Sequence, residues 1–143
     1  MTIERITQDR DPGDILTCEA SVLVREAVGL LAGKRIGALP IVDQGIVVGI
    51  FSERDVIYRL ASEGALCLDR PVGEVMTSPA ITVSRTDKID EALALMTKRR
   101  IRHLPVVEAD RLTGFVSIGD LVKSKMDQVE HEAASMRSYI QTA

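Results

Sequence analysis

Two stretches of the chain place a serine and an aspartate three residues apart, just behind a glycine in an apolar run. They read Gly49-Ile50-Phe51-Ser52-Glu53-Arg54-Asp55 and Gly114-Phe115-Val116-Ser117-Ile118-Gly119-Asp120. Glycine inside a strand costs stability unless another backbone has to come close. Ser-x-x-Asp has the spacing of a capping box, in which hydroxyl and carboxylate exchange hydrogen bonds with the first amides of a helix. Such a helix start also offers N–H groups and partial positive charge to a phosphate. A carboxylate beside it can accept both hydroxyls of a ribose. Capping alone would explain one such stretch; its recurrence in the same register favours a ligand, with Ser capping and Asp holding the sugar.

The two stretches belong to a gapless repeat. Residues 15–57 align on 80–122 at an offset of 65, so that Thr17 meets Thr82, Glu26-Ala27 meets Glu91-Ala92 and Leu39-Pro40 meets Leu104-Pro105. Units this short rarely bury an apolar face alone, so the copies are expected to pack as one body with clefts between them. The repeat divides the chain into residues 8–66, 72–128 and a helical tail, 129–143.

Each copy reads as β-α-β-β-α, an α/β (α+β) fold. First strands are expected at 15–17 and 80–83, with Ser21 and Thr86 as N-caps of the helices that follow. Those helices carry one apolar stripe each, Val24, Ala27, Val28, Leu31 and Ile89, Ala92, Leu93, Met96, at the spacing of a single buried face. Lys34-Arg35 and Lys98 to Arg100 close them, where cations meet the negative end of the dipole. Strands at 38–42 and 103–107 then turn through Asp43-Gln44-Gly45 and Glu108-Ala109-Asp110 into return strands at 46–51 and 111–116. Pro40 and Pro105 each remove a ladder donor, which marks edges or bulges. Residues 64–79 join the copies. Beyond Leu121, Val122, Met126, Val129, Ala133, Met136 and Ile140 form a short heptad seam, suited to docking on its own module or pairing with a second chain.

Composition narrows the function classes. Across 143 residues, 45% are hydrophobic and 3% aromatic, with no Trp and a net charge of −3. This gives neither a basic footprint nor a stacking platform for nucleic acid. Charges fill the first eleven residues, and no run approaches the roughly 18 apolar residues of a membrane span. Cys18 and Cys67 stand alone, so a reduced, cytoplasmic protein without a zinc site or disulfide framework is expected. His103 has only His131 for company, which argues against a metal. No Walker A loop, HExxH, G-x-S-x-G or Cys/His pairing suggests catalysis, and an enzyme is not expected.

The pattern Arg100-Ile101-Arg102-His103-Leu104-Pro105-Val106-Val107 followed by Gly114 to Asp120, with its counterpart Arg35 to Val42 followed by Gly49 to Asp55, resembles tandem CBS domains, the Bateman module. The resemblance spans about residues 10–125. It implies two units about a pseudo-twofold axis, with clefts that bind adenine-containing ligands such as AMP, ATP or NAD. By position, it implies that Asp55 and Asp120 hold ribose and that Ser52 and Ser117 lie near the phosphates. Thr17 and Thr82, beside Leu16 and Ile81, would frame the base. Ile36-Gly37-Ala38 and Ile101-Arg102-His103 would close over it and supply phosphate contacts. Copy two has Arg102 and His103 where copy one has Gly37 and Ala38, while copy one has Arg54 where copy two has Gly119. The Asp120 cleft is therefore expected to hold phosphates more firmly, with His103 as a pH-dependent contact. The resemblance further implies a homodimer that signals ligand state to a regulated partner protein. A structural or interaction module with vestigial clefts is the competing class.

Overall fold

The computed structural model describes residues 1–142; Ala143 lies outside the described residues. A short helix α1 (Glu4–Thr7) and a 3-10 turn (Pro12–Asp14) precede the first copy, which comprises β1 (Cys18–Glu19), α2 (Val24–Lys34), β2 (Ala38–Asp43), β3 (Ile46–Ser52) and α3 (Glu53–Glu63). A 3-10 segment (Gly64–Asp69) and α4 (Val72–Val75) lead to the second copy: α5 (Ile89–Arg99), β4 (His103–Glu108), β5 (Arg111–Ser117) and α6 (Ile118–Thr142). The strands form one sheet in the order β1-β2-β3-β5-β4.

The hairpins are the most regular part. In each, Asp43 pairs with Ile46 and Glu108 with Arg111, so the turns hold two residues rather than the three expected. Gln44 and Gly45, and Ala109 and Asp110, all have positive φ, the left-handed backbone that matches the twist of a two-residue hairpin. The register slips between Ile41 and Val42, and between Val106 and Val107, one residue beyond each proline-containing pair. Pro40 and Pro105 thus sit next to bulges, as their missing donors suggest. The return strands meet only near their turns, where Ile46 pairs with Arg111. Away from that junction, toward Ser52 and Ser117, the two hairpins are free to diverge.

Three local expectations fail because a different partner, near or distant in sequence, takes the hydrogen bond. Leu23 and Lys88, not Ser21 and Thr86, are the N-caps, and neither has a side-chain cap. The first amides instead reach backbone carbonyls elsewhere, Val24 N to Arg70 O at 2.8 Å and Ile89 N to Met1 O at 3.1 Å. The first strand of copy one starts at Cys18, because Ile15 N is bound to Pro12 O in the preceding turn. That of copy two shrinks to an isolated bridge, Val83 with Val106, before Ser84 N turns to the Asp87 carboxylate.

Those distant bonds show how each core closes. The copy-one core gathers Cys18, Val24, Ala27, Leu31, Leu39, Ile41 and Phe51, and takes Val72 and Val75 from the connection after it. The copy-two core gathers Val83, Ile89, Ala92, Met96, Leu104, Val106, Val116 and Leu121, and takes Ile3 from the chain start. Ile3 is fully buried, and Ile3 N and Glu4 N bond Asp87 O and Arg85 O at 2.9 Å. The glycines read as points of close approach are just that: a Cβ on Gly49 would lie 2.7 Å from Thr77 O, and one on Gly114 would lie 2.9 Å from Thr7 Cγ2.

The described part of the tail is exposed. Lys125 pairs with Asp90 at 2.9 Å and Ser124 Oγ donates to Met1 Sδ, but every side chain from 129 to 141 is exposed. Val122, Met126, Val129, Met136 and Ile140 of the seam are 42 to 67% exposed.

Chain ends usually tolerate change, yet Ile3→Ala should cost about 2–5 kcal/mol, the range for truncating a buried isoleucine. Chemical denaturation measures this; a loss below about 0.5 kcal/mol, typical of surface positions, would mean that the chain start is not part of the copy-two core.

Candidate functional site

Two clefts open where the copies face each other. The first, of about 460 Å³, is lined from copy one by Gly37, Ala38, Ile50, Ser52, Glu53, Arg54, Asp55, Ile57 and Tyr58. Copy two adds Ala80, Ile81, Arg100, Ile101, Arg102 and His103, and the connection adds Thr77. The second, of about 960 Å³, takes Thr113, Gly114, Phe115, Ser117, Asp120 and His103 from copy two. Copy one adds Ile15, Leu16 and residues 34–38, and the segment before it adds Thr7 and residues 9–14. Each cleft thus draws its aspartate from one copy and its facing wall from the other.

Both Ser-Asp pairs form reciprocal capping boxes. Ser52 N donates to Asp55 Oδ2 at 2.9 Å and Asp55 N to Ser52 Oγ at 3.3 Å. Ser117 N donates to Asp120 Oδ2 at 2.9 Å and Asp120 N to Ser117 Oγ at 3.1 Å. The backbone amides next in line are also used, Glu53 N on Gly37 O and Ile118 N on Arg102 O, which ties each helix start to the strand entry of its own copy. The caps occupy part of each carboxylate, which has about four lone-pair directions. Capping and ligand contact are therefore compatible within the aspartate itself.

The remaining edges differ. Asp55 Oδ1 accepts the Thr77 hydroxyl at 2.9 Å, a single neutral donor. Asp120 is gripped by Arg10, Nη2 to Oδ1 at 2.9 Å and Nη1 to Oδ2 at 3.2 Å. Burial pushes the Asp120 carboxyl up, but the Arg10 hydrogen bonds and the Ser117 backbone amide outweigh it and hold the group below its ordinary value.

The cations are not where the repeat places them. Arg102 lines the Asp55 cleft, together with Arg54 and Arg100, and not the Asp120 cleft of its own copy. Copies cross over at the interface: the segment entering β4 faces the aspartate of copy one. Arg54 Nη1 donates to Arg100 O at 2.7 Å across the mouth of this cleft. His103 lines both clefts, stacked on Phe115 with ring centroids 5.4 Å apart. Burial pushes its pKa down, against the pull of Asp120 and Glu53, which favours the neutral ring.

Of the residues picked out in the sequence, Ser52, Arg54, Asp55, Ile81, Ile101, Arg102 and His103 come together in the Asp55 cleft. Leu16, Ile36, Ser117 and Asp120 join in the other, and Gly37 and Ala38 border both. Thr17 and Thr82 line neither. Arg10, Thr77, Tyr58 and Phe115 were invisible as site residues, because Arg10 and Thr77 lie outside the repeated register and the rings sit among ordinary helix and strand positions. Among the described residues, no group of three or more His, Cys, Asp or Glu could hold a metal ion, and no helix is long and apolar enough to cross a membrane.

Known proteins share this arrangement. The chain is 34% identical over 134 residues to the mitochondrial CBS domain-containing protein CBSX3 of Arabidopsis thaliana, covering 90% of this chain and 65% of that one. The crystal structure of the CBS-domain containing protein ATU1752 from Agrobacterium tumefaciens matches with a TM-score of 0.80 at 35% identity, over 87% of this chain and 99% of that one. The CBS domain pair of protein MJ0100, in complex with 5′-methylthioadenosine and S-adenosyl-L-methionine, matches with a TM-score of 0.73 at 27% identity, over 86% and 98%. A family model for the CBS domain fits residues 10–62 and again 72–127. With its two copies, crossed clefts and paired Ser-x-x-Asp caps, the chain belongs to the CBS-domain family as a tandem pair.

Proposed function

We propose that the protein is a regulatory module that binds an adenine-containing ligand, AMP, ATP or NAD, and passes its state to a partner protein. The observation that carries this reading is the Asp55 carboxylate, capped on one oxygen and open to hydroxyl donors on the other, in a cleft with Arg54, Arg100 and Arg102. The ribose of the ligand would add its hydroxyls beside Thr77. The phosphates would face the three arginines, and the adenine would lie against Ile81, Ile101 and Ala80. The adenosyl ligands of MJ0100 support the class of ligand.

Because the cleft is walled by both copies, a ligand that spans it favours one arrangement of the copies over others. The size of that effect is bounded by its difference in affinity for them. Exposed Ile57, Tyr58 and Leu60 on α3, and the α6 seam, supply apolar surface for a homodimer that could relay the change. A purely structural module would need the same surface but no ligand.

Asp55→Ala should weaken AMP binding about 10- to 100-fold, the loss expected for hydrogen bonds to a charged group. Calorimetric titration reads this directly, and AMP, ATP and NAD all failing to bind the parent protein would favour the structural module. Light scattering should give twice 15.6 kDa at micromolar concentration; a monomer would remove the homodimer.

Acid should loosen the module in two stages. The folded-state pKa of His103 is depressed, so the unfolded chain binds more protons as pH falls through the ordinary histidine value of about 6.5. The stability tied to its neutral form is complete above that value and lost below it. The contribution of Asp120 is present above about 3.9 and lost only in stronger acid. Unfolding measured between pH 5 and pH 7.5 should show the first stage, and His103→Gln should flatten it; an unchanged slope in the variant would contradict the assignment.

A further inference from the structure

The two clefts receive their third contribution from corresponding places in the chain, the segment that runs into each copy. The connection before copy two sets Thr77 on Asp55; the segment before copy one sets Arg10 on Asp120. One is a neutral hydroxyl with a single bond. The other is a guanidinium that fills both carboxylate oxygens and also lies 3.5 Å from Phe115 O. Two parallel N–H donors on a carboxylate reproduce the pattern that a vicinal diol would make with two O–H donors, and they carry a charge besides.

We infer that Arg10 is a self-inhibitory latch: its guanidinium occupies the sugar-binding edge of Asp120, and an adenosyl ligand enters that cleft only by displacing it. The inference rests on the adenosyl reading of the clefts and adds to it which cleft is held in reserve and by which residue. The latch is releasable. Arg10 is 48% exposed and Asp120 26%, and exposed ion pairs of this kind hold with modest strength. The side-chain bonds of Arg10 tie its segment to Asp120, whereas Ile3 anchors the chain start in the copy-two core. Release can therefore free the segment around Arg10, with its Asp9, Asp11 and Asp14, without opening the core. Ligand in the Asp120 cleft would thus be reported by an acidic stretch at the module surface.

Adenosine and AMP are the probes, titrated calorimetrically into Asp55→Ala, which isolates the Asp120 cleft, and into Asp55→Ala/Arg10→Ala. Removing the latch should tighten adenosine binding about two- to fivefold, the competition expected from an exposed ion pair. Arg10→Gln, which keeps the side-chain length, should do the same, and both gains should vanish when Asp120→Ala is added. Adenosine has no phosphate for Arg10 to contact, so unchanged or weaker adenosine binding in Asp55→Ala/Arg10→Ala would overturn the latch alone. If the parent, Asp55→Ala and Arg10→Ala forms all fail to bind either probe, the adenosyl reading falls and takes the latch with it. Hydrogen exchange in the ligand-free protein gives a second judgement: amides of residues 8–14 should exchange faster in Arg10→Ala, and equal rates would show that Arg10 pins nothing.

Discussion

Neither copy closes its own core, and the rest of the architecture follows from that. Copy one is completed by Val72 and Val75 from the connection behind it, and copy two by Ile3 from the start of the chain. The first amides of α2 and α5 are bound by Arg70 O and Met1 O from those same segments. An amide at a helix start is costly to bury unpaired, so the borrowed segments are fixed by hydrogen bonds as well as by apolar packing. Their placement carries Thr77 and Arg10 onto the two aspartates. Core closure and cleft chemistry are thus set by the same two stretches of backbone.

The pseudo-symmetry makes two sites of one shape and leaves them chemically unequal. Each aspartate caps a helix with Oδ2, which fixes its position and leaves the outer edge for a further donor. What differs is the company. Arg54, Arg100 and Arg102 line the Asp55 cleft with Glu53, while Asp9, Asp11 and Asp14 share the Asp120 cleft with Arg10, Lys34 and Arg35. The Asp55 cleft therefore carries the smaller share of acidic groups. The wall between the clefts is Gly37, Ala38 and His103, and it is tight: a Cβ on Gly37 would lie 3.1 Å from His103 Cε1. A neutral imidazole suits such a wall, since a charged one would be desolvated there.

Much of this was legible in the sequence wherever the governing contact is local. The apolar stripes of α2 and α5, the hairpins, both capping boxes and the close approaches at Gly49 and Gly114 all follow from spacing over a few residues. The register of the repeat revealed that clefts must lie between copies. Illegible were the contacts whose partner lies far along the chain. Ser21 and Thr86 have good capping chemistry but lose to Arg70 O and Met1 O. Arg102 was assigned to the aspartate of its own copy because sequence proximity says nothing about the crossing of copies at the interface. Arg10 lies 110 residues from Asp120, outside the aligned region, and no periodicity points to it.

The tail poses the remaining physical question. Helix α6 continues to Thr142, well past Lys125 and Ser124, which bond Asp90 and Met1 of the module. Beyond them, Gln128 Nε2 on Glu132 Oε1 is an i,i+4 bond of the sort that contributes a few tenths of a kcal/mol. Isolated helices shorter than about 12–15 residues are marginal in water, because most helical stability in proteins comes from packing an apolar face. Residues 129–141 have such a face, with Val129, Met136 and Ile140 on it, and these three side chains are exposed. A second copy of the same helix would bring a matching seam of period three and four. Pairing of tails would then supply packing for that face, and would join two modules at the far ends of the helices capped by Ser117 and Asp120.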